Sequence, residues 1–138
     1  PDYADGHGML AFALCFAGEL EEALVAIRKV NTLEPEPSHL FLALEGRILF
    51  LLNRYNEAVV HIERSLIKNP AHDRTQLLAA ATYAQLGRLE DASWALEEAT
   101  AINPKISLEY ERNEAYYKNP EHLEHYIESL KIAGVPPT

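Results

Sequence analysis

Cysteine is nearly absent. A single residue, Cys15, stands in 138, so no disulfide can form within the chain and a secreted disulfide framework is excluded. It lies in the apolar run MLAFALCFAG, where a small buried side chain suits it better than a reactive thiol. Basic residues are scarce as well, with 12 Lys and Arg against 21 Asp and Glu and a formal net charge of −9. That balance argues against nucleic acid as the partner, because phosphate binding runs on a surplus of Lys and Arg. Long hydrophobic runs are missing too. The longest, Leu40 to Leu52, contains Glu45 and Arg47 and is too short to span a bilayer. No signal peptide opens the chain. The expectation is a cytoplasmic protein that contacts neither membrane nor nucleic acid.

The chemistry of a catalyst is also lacking. There is no glycine-rich phosphate loop and no nucleophile elbow. Glu21-Glu22 and Glu97-Glu98 are adjacent pairs, and neighbours on a helix point about 100° apart, so neither pair converges on one substrate atom. His122 and His125 lie three apart on the last helix, but two candidate ligands on an exposed helix are a weak metal signal. No catalytic residue, no cofactor and no metal site is expected, and the chain is read as non-enzymatic.

What is present is a repeat. Tyr83, Gly87, Ala92, Leu96, Ala99 and Pro104 form a ladder that recurs as Leu49, Asn53, Ala58, Ile62, Ser65 and Pro70, and again as Leu14, Gly18, Ala23, Ile27, Val30 and Pro35. The period is 34 to 35 residues, that of a two-helix unit. Gly18, Asn53 and Gly87 each suit a left-handed cap that ends a first helix. Glu21, Glu22, Glu57, Glu90 and Asp91 fall in the first turns of second helices, where the helix dipole favours negative charge. Gly46 and the ladder alanines mark close helix approach, since a bulky side chain there would force the helices apart. The helix from His39 to Leu52 is apolar nearly all round and must be covered on most sides.

This ladder resembles the tetratricopeptide repeat family. The resemblance implies an all-α, right-handed α-α superhelix: three helical hairpins over about 4–37, 39–72 and 73–106, a degenerate capping pair over 107–134, and a tail at 135–138 that trails off. The first capping helix is expected from Ile106 to Tyr117 and the second from Pro120 to Ala133. Pro1, Pro35, Pro70 and Pro104 recur at 34, 35 and 34. Pro1 therefore reads as the end of an earlier repeat, and the chain as a fragment of a longer protein.

In this family the first helices line a concave groove. Helical spacing then places Met9, Phe12, Leu40, Ala43, Leu44, Arg47, Phe50, Arg74, Leu77, Leu78 and Ala81 as the partner-binding residues, with Arg47 and Arg74 as orienting charges. One subfamily clamps a peptide's terminal carboxylate there. The matching places hold Gly8, Phe12, Leu44, Arg74 and Leu78, and only Arg74 keeps that chemistry, so the clamp is not expected. The groove is apolar instead. It is filled by a partner helix or peptide, or by a second copy of the chain, unless its residues pack within a tightly wound superhelix. Residues 116–136, YYKNPEHLEHYIESLKIAGVP, are similar to the end of repeat regions behind bacterial class III adenylate/guanylate cyclase domains. That resemblance implies a regulatory protein-interaction module, with homodimerisation as the alternative role.

Overall fold

The computed structural model describes the backbone of residues 2–138 and the side chains from Ala4 onward. The reading of Pro1 as the end of a preceding repeat lies outside these residues. Among them, eight helices follow one another with no strand: α1 (Asp2–Ala17), α2 (Leu20–Leu33), α3 (His39–Leu51), α4 (Tyr55–Lys68), α5 (Asp73–Gln85), α6 (Leu89–Ile102), α7 (Leu108–Glu114) and α8 (Pro120–Ala133). The helices of each hairpin pack on one another, α2 packs on α3, and α4 packs on α5. The result is a solenoid of three hairpins closed by a C-terminal pair.

The ladder is a set of backbone instructions. Gly18, Asn53 and Gly87 adopt φ of 92°, 64° and 75°, the left-handed region that glycine enters freely and asparagine tolerates. Each reversal lets the next residue donate back five positions. The N–H groups of Glu19, Arg54 and Arg88 bond the carbonyls of Leu14, Leu49 and Tyr83 at 2.9, 2.8 and 2.9 Å. Carbonyls that a helix end leaves orphaned are thereby satisfied three times in one register. The second helices also end alike, with Glu34, Asn69 and Asn103 donating to Val30, Ser65 and Ala99.

Gly46 shows what close packing demands. A methyl built there meets Ile62 Cγ1 at 2.5 Å and the Ala58 carbonyl oxygen at 3.3 Å. Both neighbours belong to fully buried residues of α4. Gly46→Ala gains about 1 kcal/mol of helix propensity but meets an overpacking cost of about 1–3 kcal/mol, so we expect net destabilisation. Gly6 in α1 has nothing within 4 Å of the same position. Gly6→Ala therefore raises stability by about 0.5–1 kcal/mol. Urea titrations of the two variants should show midpoints shifting in opposite directions, and a stabilised Gly46→Ala would refute the packing account.

The C-terminal region departs from the sequence expectation in two places. The first capping helix is not Ile106–Tyr117 but Leu108–Glu114, and residues 115–119 run without helix. Nor does the tail trail off. Val135 is buried and donates to Leu130, while the carbonyls of Pro136 and Pro137 accept from the N–H groups of Leu108 and Glu109 at 2.8 and 3.0 Å. Ser107 supplies the rest, its Oγ accepting from Tyr110 and its carbonyl from Glu111. The N–H groups of all four residues of the first turn of α7, Leu108 to Glu111, are thus paired, which is how a helix of seven residues persists.

Candidate functional site

The pair α7–α8 folds back onto the hairpins, where α8 packs mainly on α5 and also touches α6 and α3. α5 is accordingly buried at every residue from Thr75 to Ala84. The non-helical stretch 115–119 reaches the end of α1, where the Lys118 N–H donates to the Phe16 carbonyl at 2.9 Å. Tyr117 lies against Phe16 with ring centroids 5.0 Å apart, and its hydroxyl accepts from Arg47 Nη1. The Arg47 guanidinium also faces the rings of Phe16, Tyr117 and Tyr126 at 5.8, 6.0 and 5.3 Å. His125 stacks on Phe50 at 4.5 Å and shares a 2.7 Å hydrogen bond with the Tyr55 hydroxyl. Arg74 grips Glu111 with both Nη atoms, at 2.6 and 3.0 Å.

Between this C-terminal cover and the first helices remains a cavity of about 400 Å³. Eight of the eleven sequence-derived residues line it: Met9, Phe12, Leu40, Ala43, Leu44, Arg47, Arg74 and Leu78. Met9, Phe12 and Leu40 are 65%, 48% and 52% exposed and form its apolar rim, whereas Leu44 and Leu78 are buried in its wall. The other three, Phe50, Leu77 and Ala81, are fully buried and do not reach it. Every α1, α3 and α5 residue in the lining comes from a first helix, and α2, α4 and α6 contribute none. The opposite wall, with Glu111, Ala115, Tyr116, Tyr117 and Tyr126, escaped the sequence reading. Its signal was there: Glu114 stands in register with Ala11, Gly46 and Ala80, and Tyr126 with Ala23, Ala58 and Ala92, places that hold small residues in the three hairpins.

Charge inside the site is held by specific contacts. Burial works against the Arg47 cation, but Tyr117, Tyr126 and Cys15 outweigh it and raise its pKa. The two phenols are pushed up by burial, with Arg47 opposing. Burial likewise pushes the Cys15 thiol up to about 11, which suits the role of a small buried hydrophobe. Among the described residues no group of three His, Cys, Asp or Glu side chains is placed to hold a metal ion, and no helix is long and apolar enough to cross a membrane.

Three histidines give the fold a pH dependence. Burial lowers His61, His72 and His125 below their usual 6.5, with His39 adding to the effect on His72 and His122 to that on His125, while Glu45 opposes it at His61. A depressed histidine is neutral in the folded chain and protonated in the unfolded one just below 6.5. Stability is therefore full above that pH and falls as acid is added. The thermal midpoint should drop between about pH 7.5 and 5.5, and His125→Phe, which keeps the stack on Phe50, should flatten the slope. A midpoint unchanged over that range would contradict this reading. The lowered carboxylates Glu36, Glu57 and Glu124 start from 4.5 and titrate outside the window.

Residues 49–112, a little under half of the chain, match the family model described as Tetratricopeptide repeat. No curated protein matches the chain. Solved structures do resemble it in fold. MamA superposes with a TM-score of 0.72 at 17% identity, covering 96% of this chain and 77% of that one. PcrH from Pseudomonas aeruginosa gives 0.69 at 17%, covering 96% and 90%. MamA from Desulfovibrio magneticus RS-1, from residue 41 to its end, gives 0.69 at 19%, covering 94% and 75%. The repeated caps and the paired helices together make this a helical-hairpin repeat fold, of which residues 49–112 are similar to the tetratricopeptide repeat family.

Proposed function

We propose that this chain is a non-enzymatic protein-interaction module, acting in the cytoplasm as a regulatory part of a larger bacterial signalling protein. The observation that carries the reading is the apolar rim. Met9, Phe12 and Leu40 stand about half exposed or more around one cavity on the first-helix face, joined by Tyr116 at 78%. Burying one such side chain is worth about 1.5–3 kcal/mol, so a partner segment that covers several gains a substantial part of its affinity there. The resemblance of residues 116–136 to cyclase-associated repeat regions supports the signalling context. The test places a photo-crosslinking amino acid at Phe12 and, as control, at Val25 on the opposite side. A discrete crosslinked partner at position 12, lost on Leu40→Asp and absent at position 25, supports the reading; equal yields at both positions would end it.

Homodimerisation is a second reading, favoured by one observation. Leu10, 51% exposed, continues the apolar surface of Met9 and Phe12 around α1, the outermost helix of the described stack. Light scattering separates the readings. A concentration-independent dimer that Leu10→Asp dissociates favours self-association, and a monomer favours the partner.

A further inference from the structure

We propose that the cavity beneath α7 and residues 115–117 binds a small amphipathic monocarboxylate, an alkyl or aryl-alkyl acid, with its carboxylate on Arg47. The first support is a charge account. Five arginines, Arg28, Arg54, Arg74, Arg88 and Arg112, have a carboxylate within 4.0 Å. Arg64 is exposed to solvent. Among the described residues, Arg47 alone carries an unneutralised positive charge inside the fold. The rings of Phe16, Tyr117 and Tyr126 stabilise that cation, but they cancel none of its charge.

The second support is the state of its donors. A guanidinium offers five N–H groups, and among the described residues the one acceptor is the Tyr117 hydroxyl. Among the described residues Nε and Nη2 have no hydrogen-bond partner, yet neither is among the fully buried, unsatisfied atoms. They open on accessible space, and Arg47 lines the cavity. The remaining wall is apolar, with Phe12, Leu44 and Leu78 among its members. Other charge there is already answered or stands at the edge: Glu111 is held by Arg74, and Glu114 is exposed. His72 is pushed toward its neutral form by burial. One cation without a carboxylate partner, in a largely apolar chamber, fits one carboxylate on an apolar body.

Size chooses a small molecule over a helix. A volume of about 400 Å³ falls within the range of roughly 300–1,000 Å³ seen for small-molecule pockets. An α-helix with its side chains is about 10–12 Å across and does not enter while residues 115–117 lie over the chamber. The proposal does not presuppose a protein partner at the rim, since it is read on this chain alone.

The experiment titrates the full chain with decanoate, decanol and decylamine, all below micelle formation, by calorimetry, with methyl NMR locating the site. Decanoate should bind about tenfold or more tightly than decanol, the worth of a charged hydrogen bond, and decylamine should not bind. Shifts should centre on the methyls of Leu44 and Leu78. Arg47→Met should erase the preference of acid over alcohol. Should that variant fail to fold, salt decides on the parent chain, weakening decanoate while leaving decanol unchanged. Equal affinity for acid and alcohol, binding of neither, or shifts confined to the α2–α4–α6 side would each overturn the proposal. None of those outcomes touches the crosslinking test at Phe12, so the two readings fail separately.

Discussion

Phe50→Ala is expected to lower the thermal midpoint by about 10–15 °C, while Phe12→Ala should move it by only a few degrees. Both phenylalanines read from the sequence as groove residues. Phe50, however, is fully buried on α3, stacked on His125 and edge-on to Tyr126 at 6.2 Å. Phe12 is 48% exposed at the rim. Truncating a buried phenylalanine costs about 3–5 kcal/mol, because transfer energy and a residual cavity add. Here the loss falls on the contact that holds α8 to the hairpins. In a solenoid, stability is a sum of neighbour interfaces, so the C-terminal pair should loosen first. Hydrogen exchange would then show protection lost in α8 before α1 and α2. If the two variants had equal midpoints, the cover over Phe50 would be refuted.

The contrast between these two residues shows where the sequence stopped being legible. Helix ends were readable because Gly18, Asn53 and Gly87 each solve a local problem, a left-handed turn that few residues accept. Gly46 was readable because a missing side chain in an apolar helix has little purpose but close packing. The destination of α7 and α8 was not local information. Tyr126 in place of a small ladder residue announced that the last pair would not pack as a fourth hairpin, but a lost alanine does not say where the tyrosine goes. Its position depends on Arg47 and Phe50, about 80 residues earlier in the chain and a full solenoid layer away. The tail was misjudged for a related reason. Prolines cannot donate, so Val135-Pro136-Pro137 looks unstructured, yet their carbonyls are what α7 lacks.

Arg74→Ala should destabilise the chain by about 3 kcal/mol at pH 7.5, the lower end of the usual 3–5 kcal/mol for breaking a buried pair. Glu111 is 2% exposed and depends on the two-pronged grip of Arg74, whose own side chain is 35% exposed and keeps some water. Removing the cation strands the carboxylate; removing the carboxylate leaves a cation that can still be hydrated, so Glu111→Gln should cost less. The sign with pH is diagnostic. A stranded buried carboxyl has its folded pKa raised above its unfolded one, so stability is lost as pH rises through the folded value and recovered as pH falls. The deficit of Arg74→Ala relative to the parent should therefore shrink from pH 7.5 to 5.5, even though the histidines weaken both proteins over that range. Arg74→Lys keeps the charge without the fork and should restore part of the loss. Replacing both partners by apolar residues, Arg74→Met with Glu111→Leu, should come close to the parent. Urea midpoints at the two pH values decide the matter: a deficit that is absent, or that stays constant with pH, would show that Glu111 does not depend on Arg74 for its charge.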